Sequence, residues 1–478
     1  MKIGKIITSG FVLLLILLPL SGFGAMEPAV NAVAESGHSV PFWTVFPFVL
    51  LLLMIATGPL FYEHFWHQNY PKIAIGLGLL VVAYYIFALH NTHSPIHALI
   101  EYVQFISLLA ALYIASGGIM INIDKKATPR ANVILLLIGA ALANLIGTTG
   151  ASMLLIRPFV RLNRTRIQPY HIIFFIFMVS NIGGSLTPIG DPPLFLGFLK
   201  GVPFLWTFVH NFIPWIFSLG LLAAVFFLID IRNKTHHTVF EDDDIIQNKI
   251  TLKGGGNFLW LIVIIGAVFL DPNVLPWVPA INYDGQKVSF VRELIMISVG
   301  YLSFKFANKQ ALDGNQFSFE PIREVGFLFV GIFATMMPAL ELVGNFAASP
   351  DGTAMINHNT LYWGTGVLSG FLDNAPTYIN FLTAAMASQG ASINQITEVM
   401  TFAKDNTLLL KAISIGAVFF GAFTYIGNGP NFMVKSIAEE IGIKMPSFFG
   451  YIIKYSIPIL LPLFIIVWLI FFKFSIFL

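Results

Sequence analysis

Apolar stretches of about 20 residues, separated by short polar segments, recur along nearly the whole chain. About 20 mostly apolar residues is the length at which an α-helix crosses the hydrocarbon core of a bilayer. The pattern therefore predicts an all-α polytopic membrane protein with about ten transmembrane helices. The predicted spans are 42–62, 72–90, 98–122, 170–200, 204–231, 257–271, 289–304, 325–344, 408–434 and 447–474.

The apolar segment 131–160 does not fit a single crossing. Lys and Arg mark the cytoplasmic side of a membrane protein, and both flanks of this segment are basic. The flanking basic residues are Lys125, Lys126, Arg130, Arg157, Arg161, Arg164 and Arg166. A segment with both ends in the cytoplasm has to turn back, so the charges predict a re-entrant hairpin.

The apolar segment 360–388 shows the opposite bias. No Lys or Arg occurs between Arg323 and Lys404. If span 325–344 runs outward from Arg323, the loop that follows it lies outside. The sequence therefore predicts a second hairpin that enters from the periplasm.

An internal repeat supports this topology. The pattern T-x-I-G-[DN]-x-P occurs at Thr187–Pro193 and again at Thr424–Pro430. The predicted hairpin tips, Thr148–Ala151 and Asp373–Pro376, correspond position by position, with Thr149 matched to Asn374. Each unit is a hairpin followed by an interrupted span, and the charge bias gives the two units opposite orientations. Inverted repeats with paired breaks indicate a transporter binding site where the repeats meet.

Glycine and proline residues produce the predicted breaks. An unsatisfied backbone group in lipid costs several kcal/mol, so a broken helix survives only where it lines a protected cavity. The alternative is a proline kink that serves packing alone. The break residues are Gly150 and Pro376 in the tips, Gly183, Gly184, Pro188, Gly190, Pro192 and Pro193 in span 170–200, and Gly427, Gly429 and Pro430 in span 408–434.

Two carboxylates fall within these breaks. Asp373, followed by Asn374, lies at the second tip, and Asp191 lies in the first broken span. An ionisable residue inside the membrane is a functional candidate by default. Either carboxylate could instead cap the half-helix that follows it. A carboxylate that binds Na⁺ when bare and a proton otherwise would give antiport by competition.

Neutral oxygen donors surround the four breaks, and hard cations prefer such ligands. Each hydroxyl or amide could instead serve helix packing. The donors are Asn144, Thr148, Thr149, Ser152, Ser185, Thr187, Thr377, Thr424, Asn428 and Asn431. Among all these residues, the predicted Na⁺ ligands are Thr149, Asp191, Asp373 and Asn428.

Composition agrees with a membrane protein. The chain of 478 residues is 56% hydrophobic and 10% charged, with a mean hydropathy of +0.80, whereas soluble domains carry about 25% charged residues. A net charge of +2 indicates no nucleic-acid partner. The chain has no Cys, which excludes disulfides and thiolate metal sites. No Walker A motif occurs, so nothing indicates ATP-driven transport. We expect no enzyme activity and no cofactor beyond transported Na⁺ and H⁺.

The N-terminal segment 1–25 allows two interpretations. Lys2 and Lys5 precede the apolar run Phe11–Leu20 and the small residues that follow it. This order is typical of a cleaved signal peptide, but it is also compatible with a first transmembrane helix that is retained. Residues 27–38 would face the periplasm if the peptide is cleaved.

The motifs resemble those of the ion transporter superfamily. T-P-I-G-D-P-P, D-N-A-P and I-G-N-G-P-N, in this order over residues 40–478, are most similar to NhaD-type sodium/proton antiporters and to the related citrate transporter (CitMHS-like) family. The superfamily also includes arsenite permeases and dicarboxylate/sodium carriers. The tips here, with Thr148-Thr149-Gly150 and Asp373-Asn374-Ala375, depart from the Ser-Asn-Thr tips of the dicarboxylate carriers.

The resemblance implies a homodimer in a bacterial inner membrane that works by elevator-like alternating access. It implies a scaffold formed by 42–127 and 257–345 and a transport domain formed by 131–231 and 358–478. The charge pattern itself predicts a cytoplasmic loop at 232–256. A carboxylate at the second tip would repel an anion, and neither break contains an Arg to clamp one. We therefore expect sodium/proton antiport. The alternatives are a symporter of citrate or another carboxylate with Na⁺, H⁺ or a divalent metal, and an arsenite or oxyanion permease.

Overall fold

The computed structural model describes residues 40–125, 127–233, 249–272, 275–283 and 286–474. The predicted signal peptide or first helix, the stretch 27–38 and residues 234–248 of the predicted loop lie outside the described residues. The part described is almost entirely helical, which confirms the predicted all-α polytopic fold.

Every predicted span contains a helix of the described chain, but spans 257–271 and 289–304 hold helices of only 12 and 15 residues, too short to cross a membrane alone. In chain order they are α1 Phe42–Phe61, α2 Glu63–Ala88, α3 His93–Gly117, α4 Pro129–Leu162, α5 Pro169–Met178, α6 Pro192–Lys200, α7 Trp206–Ile231, α8 Asn257–Val268, α9 Val291–Lys305, α10 Lys309–Gly314, α11 Glu320–Ala348, α12 Pro350–Met355, α13 His358–Phe371, α14 Asn374–Ser388, α15 Ile396–Asp405, α16 Thr407–Phe420, α17 Gly429–Glu440 and α18 Phe448–Lys473. Within the described residues, eight helical segments are long and apolar enough to cross a membrane.

Two short antiparallel ribbons interrupt the helices. β1 (Met120–Asp124) pairs with β2 (Lys249–Lys253), with Met120 opposite Lys253. β3 (Ile281–Tyr283) pairs with β4 (Gln286–Val288). The predicted span 98–122 therefore ends early, at Gly117, because its last residues enter a strand whose partner lies far along the chain.

Helix α4 folds back on itself. Gly147 has φ 77° and ψ 155°, which breaks the helix in its middle. Asn132 and Asn163, near its two ends, exchange side-chain hydrogen bonds of 2.8 Å. In a straight helix these two residues would lie about 46 Å apart. The 34-residue segment is thus the predicted first hairpin rather than a crossing.

Helices α5 and α6 form one interrupted crossing that runs beside α7. Tyr170, at the start of α5, donates to Asp230 near the C-terminal end of α7 at 2.6 Å. α6 ends at Lys200, shortly before α7 begins at Trp206. Asn132 of the first hairpin also bonds Asp230, at 2.9 Å. The open end of the first hairpin therefore lies on the side where α5 begins.

The second hairpin comes from the other side. It consists of α13 and α14, which join at Leu372 and Asp373. Asn374 at the start of α14 bonds Asp191 just before α6, and Tyr378 packs on Gly197 further along α6. α14 therefore runs with α6, away from the open end of the first hairpin. The two hairpins approach Asp191 from opposite ends of the bundle, as an inverted repeat requires.

In both broken helices the backbone passes close to itself at a pair of glycines, an arrangement that we call the glycine crossing. The first break holds a 3₁₀ turn at Ile182–Leu186, and the second holds one at Gly421–Phe423. A Cβ on Gly190 would lie 2.1 Å from the Gly184 carbonyl oxygen, and a Cβ on Gly427 would lie 2.6 Å from that of Gly421. The two glycine pairs have the same internal spacing, and Gly190 and Gly427 occupy the same place in the repeated motif. The crossing is therefore part of the repeat.

Candidate functional site

Asp191 is the centre of the site and is 1% exposed. Thr148 Oγ1 donates to its Oδ1 at 2.9 Å, and Asn428 Nδ2 donates to the same oxygen at 2.9 Å. Asn374 Nδ2 donates to Oδ2 at 2.8 Å. The donors come from the first hairpin tip, the second break and the second hairpin tip. One carboxylate thus receives side chains from all the elements that the repeat brings together.

The side chain of Asp191 does not cap α6. It occupies the N-cap position before Pro192 and Pro193, but its carboxylate makes no capping hydrogen bond. Proline at the first helical positions lacks the N–H that a cap would bind. The carboxylate is therefore available to the two tips. No salt bridge to Asp191 occurs in the part of the chain that the structure describes.

Asp373 does act as a cap. Its Oδ1 accepts a hydrogen bond of 3.0 Å from the backbone N–H of Ala375, and Thr377 Oγ1 donates to its carbonyl oxygen at 2.8 Å. Asp373 is half-buried, and its like charge acts on Asp191. Asp373 therefore serves as a helix cap, which Asp191 does not. Asp191 is the more deeply buried of the two carboxylates.

Four of the predicted neutral ligands satisfy backbone groups at the breaks. Asn144 donates to the Gly183 carbonyl at 2.7 Å and accepts from Leu186 N–H at 2.9 Å. Thr187 donates to the Asn144 carbonyl at 2.6 Å. In the second unit, Thr424 donates to the Gly370 carbonyl at 2.6 Å, and Asn431 donates to the Gly421 and Thr424 carbonyls at 2.8 and 2.9 Å. These bonds replace helical hydrogen bonds that the breaks remove.

Thr149, Ser152 and Ser185 are not among the described residues that hydrogen-bond to Asp191. Thr149 is half-buried beside Thr148. Ser152 Oγ lies 2.8 Å from Ser180 Oγ. Ser185 Oγ is buried without a hydrogen-bond partner among the described residues.

The hydrogen bonds correct the register of the hairpin tips. Thr148 and Asn374 perform the same task, because each donates to Asp191 from the start of a second hairpin arm. The sequence pattern instead pairs Thr149 with Asn374, which is wrong by one position. The difference arises at the turns, where Gly147 and Asp373 occupy equivalent positions with extended ψ angles of 155° and 133° before the second arm begins.

The predicted break residues lie where the chain is most crowded or where a half-helix begins. A Cβ on Gly183 would lie 2.5 Å from the Met178 carbonyl oxygen, one on Gly184 would lie 2.6 Å from Thr148 Cγ2, and one on Gly150 would meet Ser116 Oγ at 3.3 Å. The remaining break residues occupy the loop after the first 3₁₀ turn or the first turn of a half-helix. They are Pro188 in that loop, Pro192 and Pro193 in α6, Pro376 in α14, and Gly429 and Pro430 in α17.

Asn181 is a site residue that the sequence analysis missed. It is fully buried, and it bonds both Asn431 and Asn428 of the other repeat unit, at 2.6 and 3.3 Å. The adjacent polar pair Ser180-Asn181 inside an apolar run, one residue before Gly183-Gly184, was the available signal. It was missed because the corresponding position of the second unit is not polar but holds Val418.

The described cations near these helices bind other groups. Lys200 pairs with Glu101 at 2.6 Å, and Lys411 lies 5.3 Å from the centre of the Phe471 ring. No group of three or more His, Cys, Asp or Glu residues that could hold a metal occurs among the described residues. The chemistry available at Asp191 is therefore that of a buried carboxylate, which can take a proton or a small cation.

Two opposed hairpins and two broken helices, meeting at a carboxylate, define a membrane protein of the secondary-transporter class. The chain belongs to the CitMHS_2 family: the model of this family, described as "Putative citrate transport", matches residues 37–472. This match confirms the predicted resemblance to citrate transporter-like proteins. No curated protein matches the chain.

Proposed function

We propose that the protein is a sodium/proton antiporter in which Asp191 binds Na⁺ and H⁺ in turn. The observation that carries this proposal is a buried carboxylate, without a basic partner in the described residues, at the point where both hairpin tips meet. An intramembrane carboxylate of this kind is a functional site by default.

The exchange follows from competition for one carboxylate. Facing one side, protonated Asp191 releases its proton to water, and Na⁺ then binds the bare carboxylate. Facing the other side, Na⁺ leaves and a proton takes its place. The donors Thr148, Asn374 and Asn428 hold the bare carboxylate in position, because hydrogen bonds to a charged acceptor are the strong ones.

The negative charge of the site disfavours an anionic substrate that carries no bound cation. A carboxylate of citrate about 4 Å from Asp191 would experience a repulsion of about 4 kcal/mol at an effective dielectric constant of about 20. Asp373 adds a second negative charge nearby.

Cation-coupled citrate transport is the second candidate, because the family description favours it. In that case Asp191 would hold the Na⁺, the proton or the metal ion that accompanies citrate. The cation would mask the anion's charge, and the same carboxylate would remain essential.

Proteoliposomes with an internal pH-sensitive dye separate the two candidates. For an antiporter, external Na⁺ without citrate should make the lumen alkaline, and Asp191→Asn should abolish the signal. If citrate is taken up, and if Na⁺ without citrate causes no pH change in the lumen, the second candidate replaces the antiporter. Retained exchange in Asp191→Asn would remove this carboxylate from the mechanism.

Asp373→Asn tests the second carboxylate. Asn is a good N-cap, so this variant keeps the cap of α14 and removes only the charge. We expect the variant to insert normally and to lose exchange, because a second negative charge beside Asp191 would help to attract Na⁺ to the site. Exchange at the wild-type rate would show that Asp373 serves only as a cap.

A further inference from the structure

Backbone carbonyls fix the orientation of the Asn431 amide. Its Nδ2 donates to the carbonyls of Gly421 and Thr424 at 2.8 and 2.9 Å. A flipped amide would place Oδ1 against two carbonyl oxygens, which are acceptors only. Asn431 Oδ1 therefore has to point the other way, toward Asn181.

Asn181 transmits this orientation to the other repeat unit. Its Nδ2 donates to Asn431 Oδ1 at 2.6 Å and to the Ile176 carbonyl at 2.9 Å. Both acceptors require the nitrogen, so Asn181 Oδ1 faces Asn428, 3.3 Å from its Nδ2.

Asn181 and the Ser180 carbonyl together hold Asn428 as a donor to Asp191. Its Nδ2 faces three acceptors: Asn181 Oδ1, the Ser180 carbonyl at 3.1 Å and Asp191 Oδ1 at 2.9 Å. Rotating the amide would set Oδ1 against all three. In this arrangement Asn428 cannot offer an oxygen to a cation at Asp191, although the sequence indicates it as a Na⁺ ligand.

We propose that Asn181 is a positioning residue that holds the Asn428 amide as a hydrogen-bond donor to Asp191. Asn181 makes no hydrogen bond to the carboxylate itself and acts through Asn428, whose donated bond stabilises the bare carboxylate more than the protonated one. The inference rests on the proposed function, because it assigns a regulator to the same site.

The charged groups around Asp191 do not replace this role. Asp373, on the second tip, carries the same charge as Asp191. On the other elements that surround the site, Arg157 of α4 bonds Gln316 at 2.8 Å, and Lys435 of α17 bonds Glu439 at 2.7 Å. Thr148 and Asn374 are neutral donors in their own right.

Infrared titration of purified protein tests the proposal without any transport. The protonated carboxyl band that Asp191→Asn removes is followed as the pH rises. In Asn181→Leu the midpoint of this band should move up by about one pH unit, the shift that corresponds to the loss of one moderate hydrogen bond to the charged form. Asn257→Leu removes another buried amide, one that donates to the Ala115 carbonyl at 3.0 Å, and should leave the midpoint unchanged.

A double variant shows whether Asn181 acts through Asn428. Asn428→Leu should raise the midpoint at least as far as Asn181→Leu, and the double variant should match Asn428→Leu alone. An unchanged midpoint in Asn181→Leu, or a shift of equal size on top of Asn428→Leu, would overturn the proposal.

The titration also separates this inference from the proposed function. Added Na⁺ should lower the midpoint in the wild-type protein by competition. If Na⁺ has no effect while the Asn181→Leu shift is present, sodium/proton antiport fails and the positioning role stands. If Na⁺ lowers the midpoint and Asn181→Leu leaves it unchanged, the positioning role fails alone.

Discussion

Thr148 and Asn374 hold Asp191 from two hairpins with chemically different side chains. One donates a hydroxyl at 2.9 Å and the other an amide at 2.8 Å. The equivalent positions of the two breaks differ in charge, because Asp191 in the first unit is matched by the neutral Asn428 in the second. The two half-sites are therefore related in backbone but not in charge, and the carboxylate belongs to the first unit alone.

Thr148→Val should weaken Na⁺ binding while Thr149→Val should not. Valine has nearly the shape of threonine but no hydroxyl, so only the bond to Asp191 is lost. A hydrogen bond to a charged group contributes about 1.5–3 kcal/mol, so the KM for Na⁺ should rise by about ten-fold or more. Exchange assays at several Na⁺ concentrations measure this. Equal effects of the two substitutions would contradict the assignment of Thr148.

The sequence identified Asp191 because a charge in a Gly/Pro-rich interruption of an apolar span is conspicuous. It could not rank Asp191 above Asp373, since both could serve as helix caps. The hydrogen-bond chain from Asn431 through Asn181 to Asn428 was not predictable either. The role of an amide depends on which groups lie opposite it, and those groups come from the other repeat unit, far away in the sequence.

The glycine crossings bring two backbone segments into closer contact than a side chain would allow. Gly190→Ala and Gly427→Ala should each destabilise the protein by about 1–3 kcal/mol or more, because the new methyl group meets a backbone oxygen that cannot move away. Gly429→Ala is the matched control, since nothing lies within 4 Å of a Cβ there.

Thermal melting in detergent, followed by intrinsic fluorescence, checks this prediction. Lower melting temperatures for the two crossing variants, with a wild-type value for Gly429→Ala, are expected. Wild-type melting of Gly190→Ala would show that the crossing is not as close as described.

Cross-linking tests the first hairpin directly, and the Cys-free chain suits it. Cysteines at Asn132 and Asn163 should be joined by a short bifunctional reagent, because these side chains are in hydrogen-bond contact. Cysteines at Glu320 and Ala348, the ends of α11, should not be joined, since a continuous helix separates them by about 42 Å. Failure of the first pair would mean that α4 crosses the membrane as one helix.

Hairpins and broken helices were predictable because charge and Gly/Pro patterns are local properties of the sequence. The β1–β2 ribbon was not, because its strands are far apart in the chain and short. Helix α15 also went unpredicted. It spans only Ile396–Asp405 and meets α16 at 97°. Its apolar pattern is therefore too short to be recognised in the sequence as a transmembrane span.

For the whole molecule, the opposed hairpins require that their open ends lie in different compartments. Arg161→Cys, at the open end of the first hairpin, should react with an impermeant maleimide only from the cytoplasm. Met355→Cys, just before α13 and 60% exposed, should react only from outside. Right-side-out and inverted vesicles measure both, and labelling of both positions from one side would exclude the inverted arrangement. The homodimer stays a prediction.

Both hairpin tips bond Asp191, so if the tips open in turn in the proposed transport cycle, this one carboxylate couples their opening. Withdrawal of one tip costs one charge-assisted hydrogen bond, about 1.5–3 kcal/mol, whereas withdrawal of both costs two at once. A state open to both sides would therefore be penalised twice, and the proposed ion-binding residue would itself suppress an ion leak.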